Sequence, residues 1–178
     1  MVNIKEVKRK ICLIGDWGVG KTSLIRKFVL DQFDDKYIAT FGSKVTKKRI
    51  KYKITKNDII DLNMMIWDIM GQKEFKKARI MAYRGTKGAL LVCDITRLET
   101  LNNILYYSEE LFDIIQDIPI AVLANKVDLK KDAEFSLKEL KGVANKIQAP
   151  YFSTSAKTGE NVKEAFFGLG EKMIRKYL

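Results

Sequence analysis

Gly15-Asp16-Trp17-Gly18-Val19-Gly20-Lys21-Thr22 has the spacing G-x-x-x-x-G-K-T. The apolar run Ile11-Cys12-Leu13-Ile14 precedes it, and Leu24, Ile25 and Phe28 follow at helical spacing. A buried strand therefore turns into a helix across the glycines, which is the setting a phosphate-binding loop needs. Glycines let the backbone bend closely around a phosphate and turn several N–H groups inward. The new helix adds the positive end of its dipole. In such a loop Lys21 sends an ammonium to the outer phosphates and Thr22 offers a hydroxyl to the Mg2+ that accompanies them. The plain alternative, an ordinary glycine-rich turn, does not call for a strand before and a helix after.

Outward from this loop the pattern alternates between strands and helices. The first strand is expected over 7–14 and the first helix over 21–31, followed by a loop through 42 with little periodicity. From Lys44 to Ile54 residues alternate strictly: Thr46, Lys48, Ile50, Tyr52 and Ile54 on one face, Val45, Lys47, Arg49, Lys51 and Lys53 on the other. That suits an edge strand whose lysines discourage stray pairing, or a surface read by a partner. Asn57-Asp58 marks a hairpin-like turn, and further strands are expected over 62–67, 88–93, 120–124 and 151–154. A short irregular helix is expected over 74–83. Thr96-x-x-Glu99 and Ser136-x-x-Glu139 read as capping boxes, the first for a helix running to about Ile115. Inward positions are Leu101, Ile104, Leu105, Leu111 and Ile115 in one helix and Leu137, Leu140, Val143, Ala144 and Ile147 in the next. Val162, Ala165, Phe166, Leu169 and Met173 form the inward face of the last. The alternation implies an α/β fold, a mostly parallel sheet with helices on both faces and one antiparallel edge strand.

Composition narrows the class. The 178 residues suit one domain, 1–178, with 47% apolar and 31% charged residues. Cys12 and Cys93 lie in apolar strand-like runs and read as buried thiols in a reducing cytosol. There is no histidine, no metal-ligand spacing and no membrane-length apolar run. The net charge of +11 raises a nucleic-acid reading, but the lysines are scattered and no nucleic-acid module pattern appears. An acidic partner or an anionic membrane surface fits the charge better.

Every polar motif falls at the C-terminal end of a strand, where ligands bind in open α/β sheets. Asp68-x-x-Gly71-Gln72 places a carboxylate able to hold Mg2+ ahead of a glycine N–H able to meet a terminal phosphate. Asn125-Lys126-x-Asp128 is more specific. An aspartate accepts two hydrogen bonds from guanine N1–H and its 2-amino group, and adenine offers neither. Ser155-Ala156-Lys157 follows the last strand, where the Ala156 N–H can donate to guanine O6.

These four ordered signals resemble the Ras superfamily of small GTPases over about residues 7–177. Tyr83-Arg84-Gly85, Asp94-Ile95-Thr96 and Trp67-Asp68 look most similar to its Rab branch. The resemblance implies a P-loop NTPase domain with a six-stranded sheet ordered 2-3-1-4-5-6, strand 2 antiparallel. It implies a GTP/GDP switch that hydrolyses GTP with Mg2+, the nucleotide lined by 15–22 and Ser23 and by Lys126 and Lys157. Phe33 would stack on the base, Tyr37 close over the phosphates, Thr40 join Thr22 and Asp68 at Mg2+, and Gln72 position the attacking water with Lys21 neutralising charge. Effectors, exchange factors and activators would read 31–53 and 68–84, on a monomer in the cytoplasm or peripheral to its membranes. A nucleotide-binding module with negligible turnover and a P-loop kinase or ATPase are the competing readings.

Three features depart from the family pattern. Trp17 stands where a small residue is usual, beside the γ-phosphate, Gln72 and the path of an activator's arginine. Slow intrinsic hydrolysis is expected if the indole crowds that space, and no effect if it swings out over the nucleotide. Asp68-Ile69-Met70-Gly71-Gln72 replaces Asp-Thr-Ala-Gly-Gln. The tail ends Arg175-Lys176-Tyr177-Leu178 without a cysteine, so no prenyl anchor is expected in this chain.

Overall fold

The computed structural model describes residues 2–34 and 43–178. Strands β1 (Asn3–Ile14), β2 (Lys44–Lys53), β3 (Asp58–Asp68), β4 (Gly88–Asp94), β5 (Ile120–Asn125) and β6 (Tyr151–Ser153) form one sheet ordered β2-β3-β1-β4-β5-β6. β2 runs antiparallel to β3, and the other neighbours are parallel. The helices are α1 (Lys21–Leu30), α2 (Lys76–Tyr83), α3 (Leu98–Phe112), α4 (Leu137–Lys146) and α5 (Val162–Tyr177).

The period of two along each strand sends neighbours into two different cores. Ile11 and Leu13 join Leu24 and Phe28 of α1 and Phe166 and Leu169 of α5. Cys12 and Ile14 join Tyr83 of α2, Ile104 and Tyr107 of α3 and Leu140 of α4. On the first face the Phe28 and Phe166 rings stack with centroids 4.0 Å apart. Both cysteines are buried free thiols, and burial pushes the Cys12 thiol up to about 11. β2 lies at the sheet edge as expected: Lys47, Arg49, Lys51 and Lys53 face outward while Ile50 is buried.

Some local expectations are corrected. β1 and β3 start four residues earlier than expected, at Asn3 and Asp58, because the two extend one another through an unbroken parallel register from Asn3↔Asp58 to Leu13↔Asp68. Thr96-x-x-Glu99 forms no capping box. The Thr96 hydroxyl donates instead to Asp94 Oδ1 at 2.8 Å, Arg97 takes the N-cap position, and the Leu98 N–H donates to Glu134 at 2.7 Å. α3 ends at Phe112, and Leu105 and Ile115 are only half-buried, while Tyr107 is fully buried. Ser136-x-x-Glu139 does form a capping box. Leu137, at the first helical position, is 63% exposed rather than inward, and Leu140 and Ala144 carry the packing.

Candidate functional site

The loops after β1, β3, β4, β5 and β6 meet at one end of the sheet, the C-terminal end of its parallel strands. Gly15 to Gly20 form a tight loop leading into α1. At Gly20, φ is +98° and an added Cβ would lie 2.3 Å from Asn125 Nδ2, so only glycine fits. Asn125 therefore sits directly on the loop and donates from Nδ2 to Val19 O at 2.9 Å. Its Oδ1 accepts from Thr154 Oγ1 at 3.2 Å and from Ala156 N at 3.3 Å. One side chain thus joins the phosphate-type loop to the ends of β5 and β6. The Ala156 N–H, expected to face a base carbonyl, is engaged here in a long bond that an incoming acceptor can share.

Lys21 is buried, and its Nζ donates to Gly15 O and Asp16 O, both at 2.7 Å. Burial pulls its pKa down to about 8, against the opposing charges of Asp68 and Asp16. The Thr22 hydroxyl donates to Asp68 at the end of β3. Thr22 and Asp68 are hard oxygen donors, one hydroxyl and one carboxylate, the type Mg2+ takes when phosphate oxygens and water fill the rest of its shell. Among the described residues no three His, Cys, Asp or Glu side chains cluster as a metal site.

Where the loops after β5 and β6 meet, Asp128 Oδ1 accepts from Ser155 Oγ at 2.6 Å. Lys126 adopts φ +69° and its ammonium lies 2.5 Å from Asp94 Oδ2. Gly71 packs on the loop so closely that a Cβ would stand 2.3 Å from Asp16 C and 2.4 Å from Gly15 O. Gln72 follows half-buried, its carbonyl accepting from Arg79 Nη1 at 2.9 Å. The structure therefore brings together residues 15–23, Asp68, Gly71, Gln72, Asn125, Lys126, Asp128, Ser155 and Ala156. Phe33 stands in a groove with Ile25, Val29 and Lys47, whose lining includes none of residues 125–128 or 155–157. Tyr37 and Thr40 lie outside the described residues.

Several contacts at this site are announced by no motif. Asp94 is buried where β4 lies in register with Asn125. Burial alone would raise its carboxyl, but hydrogen bonds from Lys126 and Thr96 outweigh that and hold it below the usual 3.8. Asp16 is buried and fully engaged, accepting from Tyr107 OH at 2.7 Å and Asn103 Nδ2 at 2.8 Å on α3. Tyr107 OH also lies 3.2 Å from Gly71 O. Below it, Arg79 and Glu110 form a buried fork of 2.7 and 3.0 Å, and Tyr83 OH and Tyr106 OH donate to the same carboxylate. In the sequence Asp94 stands out only within Asp94-Ile95-Thr96, one of the stretches that carry the family resemblance; Arg79, Glu110 and Tyr107 carry no such signal. Trp17 is 56% exposed at the crest of the loop, with the Arg97 guanidinium 5.6 Å from its ring centroid.

Comparison with known proteins yields two findings. A family model described as Ras family matches residues 10–175. Ras-related protein Rab-22A of Mus musculus is 34% identical over 165 residues, covering 92% of this chain and 82% of that protein. Rab-22A of Homo sapiens gives the same values. Ras-related protein Rab-21 of Bos taurus is 32% identical over 166 residues, covering 93% of this chain and 72% of that protein.

Proposed function

The chain belongs to the Ras family of small GTPases, and from that premise we propose how its own residues hold guanine nucleotide and turn it over. The N–H groups of the Gly15–Gly20 loop and the start of α1 cradle the phosphates, with Lys21 as the mobile cation. Asp128 accepts from guanine N1–H and the 2-amino group, and Ala156 N–H meets O6, with Lys126 and Lys157 flanking the base. Thr22, Asp68 and Thr40 hold Mg2+, which supplies charge neutralisation along the phosphates when bound. Gln72 orients the attacking water, and catalysis consists of positioning and charge stabilisation.

The observation that supports this most is the direct bonding among motifs far apart in sequence. Thr22 bonds Asp68, Asn125 bonds Val19 and Ser155 bonds Asp128, all at one end of the sheet. The test is retention of labelled GDP by purified protein with Mg2+, challenged by unlabelled nucleotides. GTP and GDP should displace the label and ATP should not. Displacement by ATP as readily as by GTP, or no retention, overturns the proposal.

Trp17 sets the rate. An indole at the loop crest leaves less room for Gln72 and for an activator's arginine, a group typically worth about 10³–10⁵ in rate. Trp17→Gly should therefore raise single-turnover hydrolysis by roughly tenfold, about 1.4 kcal/mol of barrier. Equal rates in the two proteins would remove the effect assigned to Trp17.

Residues 31–53 and 68–84 are the surface read by effectors, exchange factors and activators. Of these, the loop 68–84 orders with the terminal phosphate and relaxes after its loss. Among the described residues no helix is long and apolar enough to cross a membrane. The outward lysines of β2 suit an acidic partner or the anionic face of a membrane. We assign the protein to the cytoplasm or its membrane surfaces, as a monomeric switch in signalling or vesicle trafficking.

A further inference from the structure

Arg97 was marked by no motif, yet it touches the phosphate-type loop from the start of α3. Its Nη2 donates to Trp17 O at 2.9 Å, its Nε donates to Asp94 Oδ2 at 3.2 Å, and its guanidinium lies over the Trp17 ring. Asp94, buried at the end of β4, holds Lys126 on the same oxygen. One carboxylate thus anchors both a residue of the base-reading motif and the arginine that grips the loop crest.

The grip has a geometric consequence. The described peptides are all trans, and in a trans peptide the C=O and the next N–H point to opposite sides. Fixing Trp17 O on the α3 side therefore aims the Gly18 N–H to the opposite side of the loop. Gly18 has φ +71°, a conformation in which successive N–H groups converge as an anion nest. A free loop would spend part of its binding energy on choosing this peptide orientation.

We propose that Arg97 is a positioning residue that locks the Trp17–Gly18 peptide with its N–H turned into the phosphate cradle, and that Trp17 shields this contact by lying against the guanidinium. This rests on the guanine-nucleotide reading above. Arg97 acts on the phosphate grip and leaves base choice to Asp128. Two different N–H groups of one planar fork reach Asp94 and Trp17 O, a geometry that a lysine ammonium does not reproduce.

The test uses the full chain in a Trp67→Phe background, where Trp17 is the sole tryptophan of the two. Arg97→Ala should release labelled GDP about tenfold faster, as expected on losing one charge-assisted hydrogen bond. Its preference for guanosine over adenosine nucleotides should not change, and Trp17 emission should shift to the red as the indole loses its cover. Arg97→Gln keeps the side-chain stem and should behave alike, so a folding defect in the alanine variant leaves the test intact. Arg97→Lys should recover less than half of the change in release rate on a logarithmic scale. Unchanged release in Ala and Gln, or full recovery by Lys, overturns the assignment to Arg97 while the nucleotide reading stands. Failure of the parent protein to retain GDP overturns the nucleotide reading itself.

Discussion

Asp128→Asn should lose guanine nucleotide and gain xanthine nucleotide. The carboxylate is an acceptor only, and in the role proposed for it above it takes the N1–H and 2-amino donors of guanine. An asparagine turns one of those acceptors into a donor, which opposes the 2-amino group and suits the 2-oxo group of xanthine. Sites built on buried polar complementarity reject the mismatched ligand by about 10⁴–10⁵, and a partly solvated version retains roughly 10³ of that. Ser155 Oγ, 2.6 Å from Asp128 Oδ1, makes the orientation of the carboxylate a property of the site rather than of the ligand. The amide should hold the same place, with Ser155 donating to its oxygen. Competition of GTP and XTP for labelled GDP in wild type and variant measures the exchange. Equal weakening for both nucleotides would show that Asp128 supports the loop without reading the base.

What could be read from the sequence follows from the range over which each signal acts. The spacing from Gly15 to Thr22 encodes its own turn, because Gly15, Gly18 and Gly20 all take positive φ, whereas the groups that crowd Gly15 and Gly20, Val92 and Asn125, are remote in sequence. The alternation of Lys44–Lys53 likewise states its own burial, since period two leaves one face inward at Ile50. The two S/T-x-x-E patterns show where local signals end. Ser136 meets no competitor and caps α4, whereas Thr96 lies two residues after Asp94, which takes its hydroxyl and its N–H. The N–H of Leu98 is then met by Glu134, 36 residues away. The supporting residues of the site are of this second kind. Arg97 reaches Trp17 across 80 residues and Tyr107 reaches Asp16 across 91, so no window of sequence holds both partners. Tyr107 is absent from the inward positions expected of its helix, and nothing near it in sequence announces the hydroxyl that joins α3 to Asp16 and Gly71.

Glu110→Ala should be strongly destabilising, by about 3–5 kcal/mol in urea unfolding. Arg79 is 1% exposed, and its fork on Glu110 is what makes a buried guanidinium tolerable. Without the carboxylate, a full charge and the Tyr83 hydroxyl are left inside the protein together; Tyr106, 37% exposed, can turn to water. Removing the charge as well should repair most of the loss. The triple change Arg79→Met, Tyr83→Phe, Glu110→Leu replaces the cluster by apolar volume, and such swaps are often neutral or stabilising. It should therefore unfold within about 1–2 kcal/mol of wild type. The pair also has an acid limit. Burial works to raise the Glu110 carboxyl, but the Arg79 hydrogen bond and charge outweigh it, so the folded value lies below the ordinary 4.5. A depressed carboxylate contributes stability above its unfolded value and loses it as pH falls through the folded one. Wild type should therefore destabilise more steeply than the apolar triple variant below about pH 4.5, the usual glutamate value. A loss under about 1 kcal/mol for Glu110→Ala, or parallel acid profiles, would mean that water reaches this cluster. In that case the link it makes from α3 through Arg79 to the Gln72 carbonyl would be too weak to hold the segment around Gln72 in place.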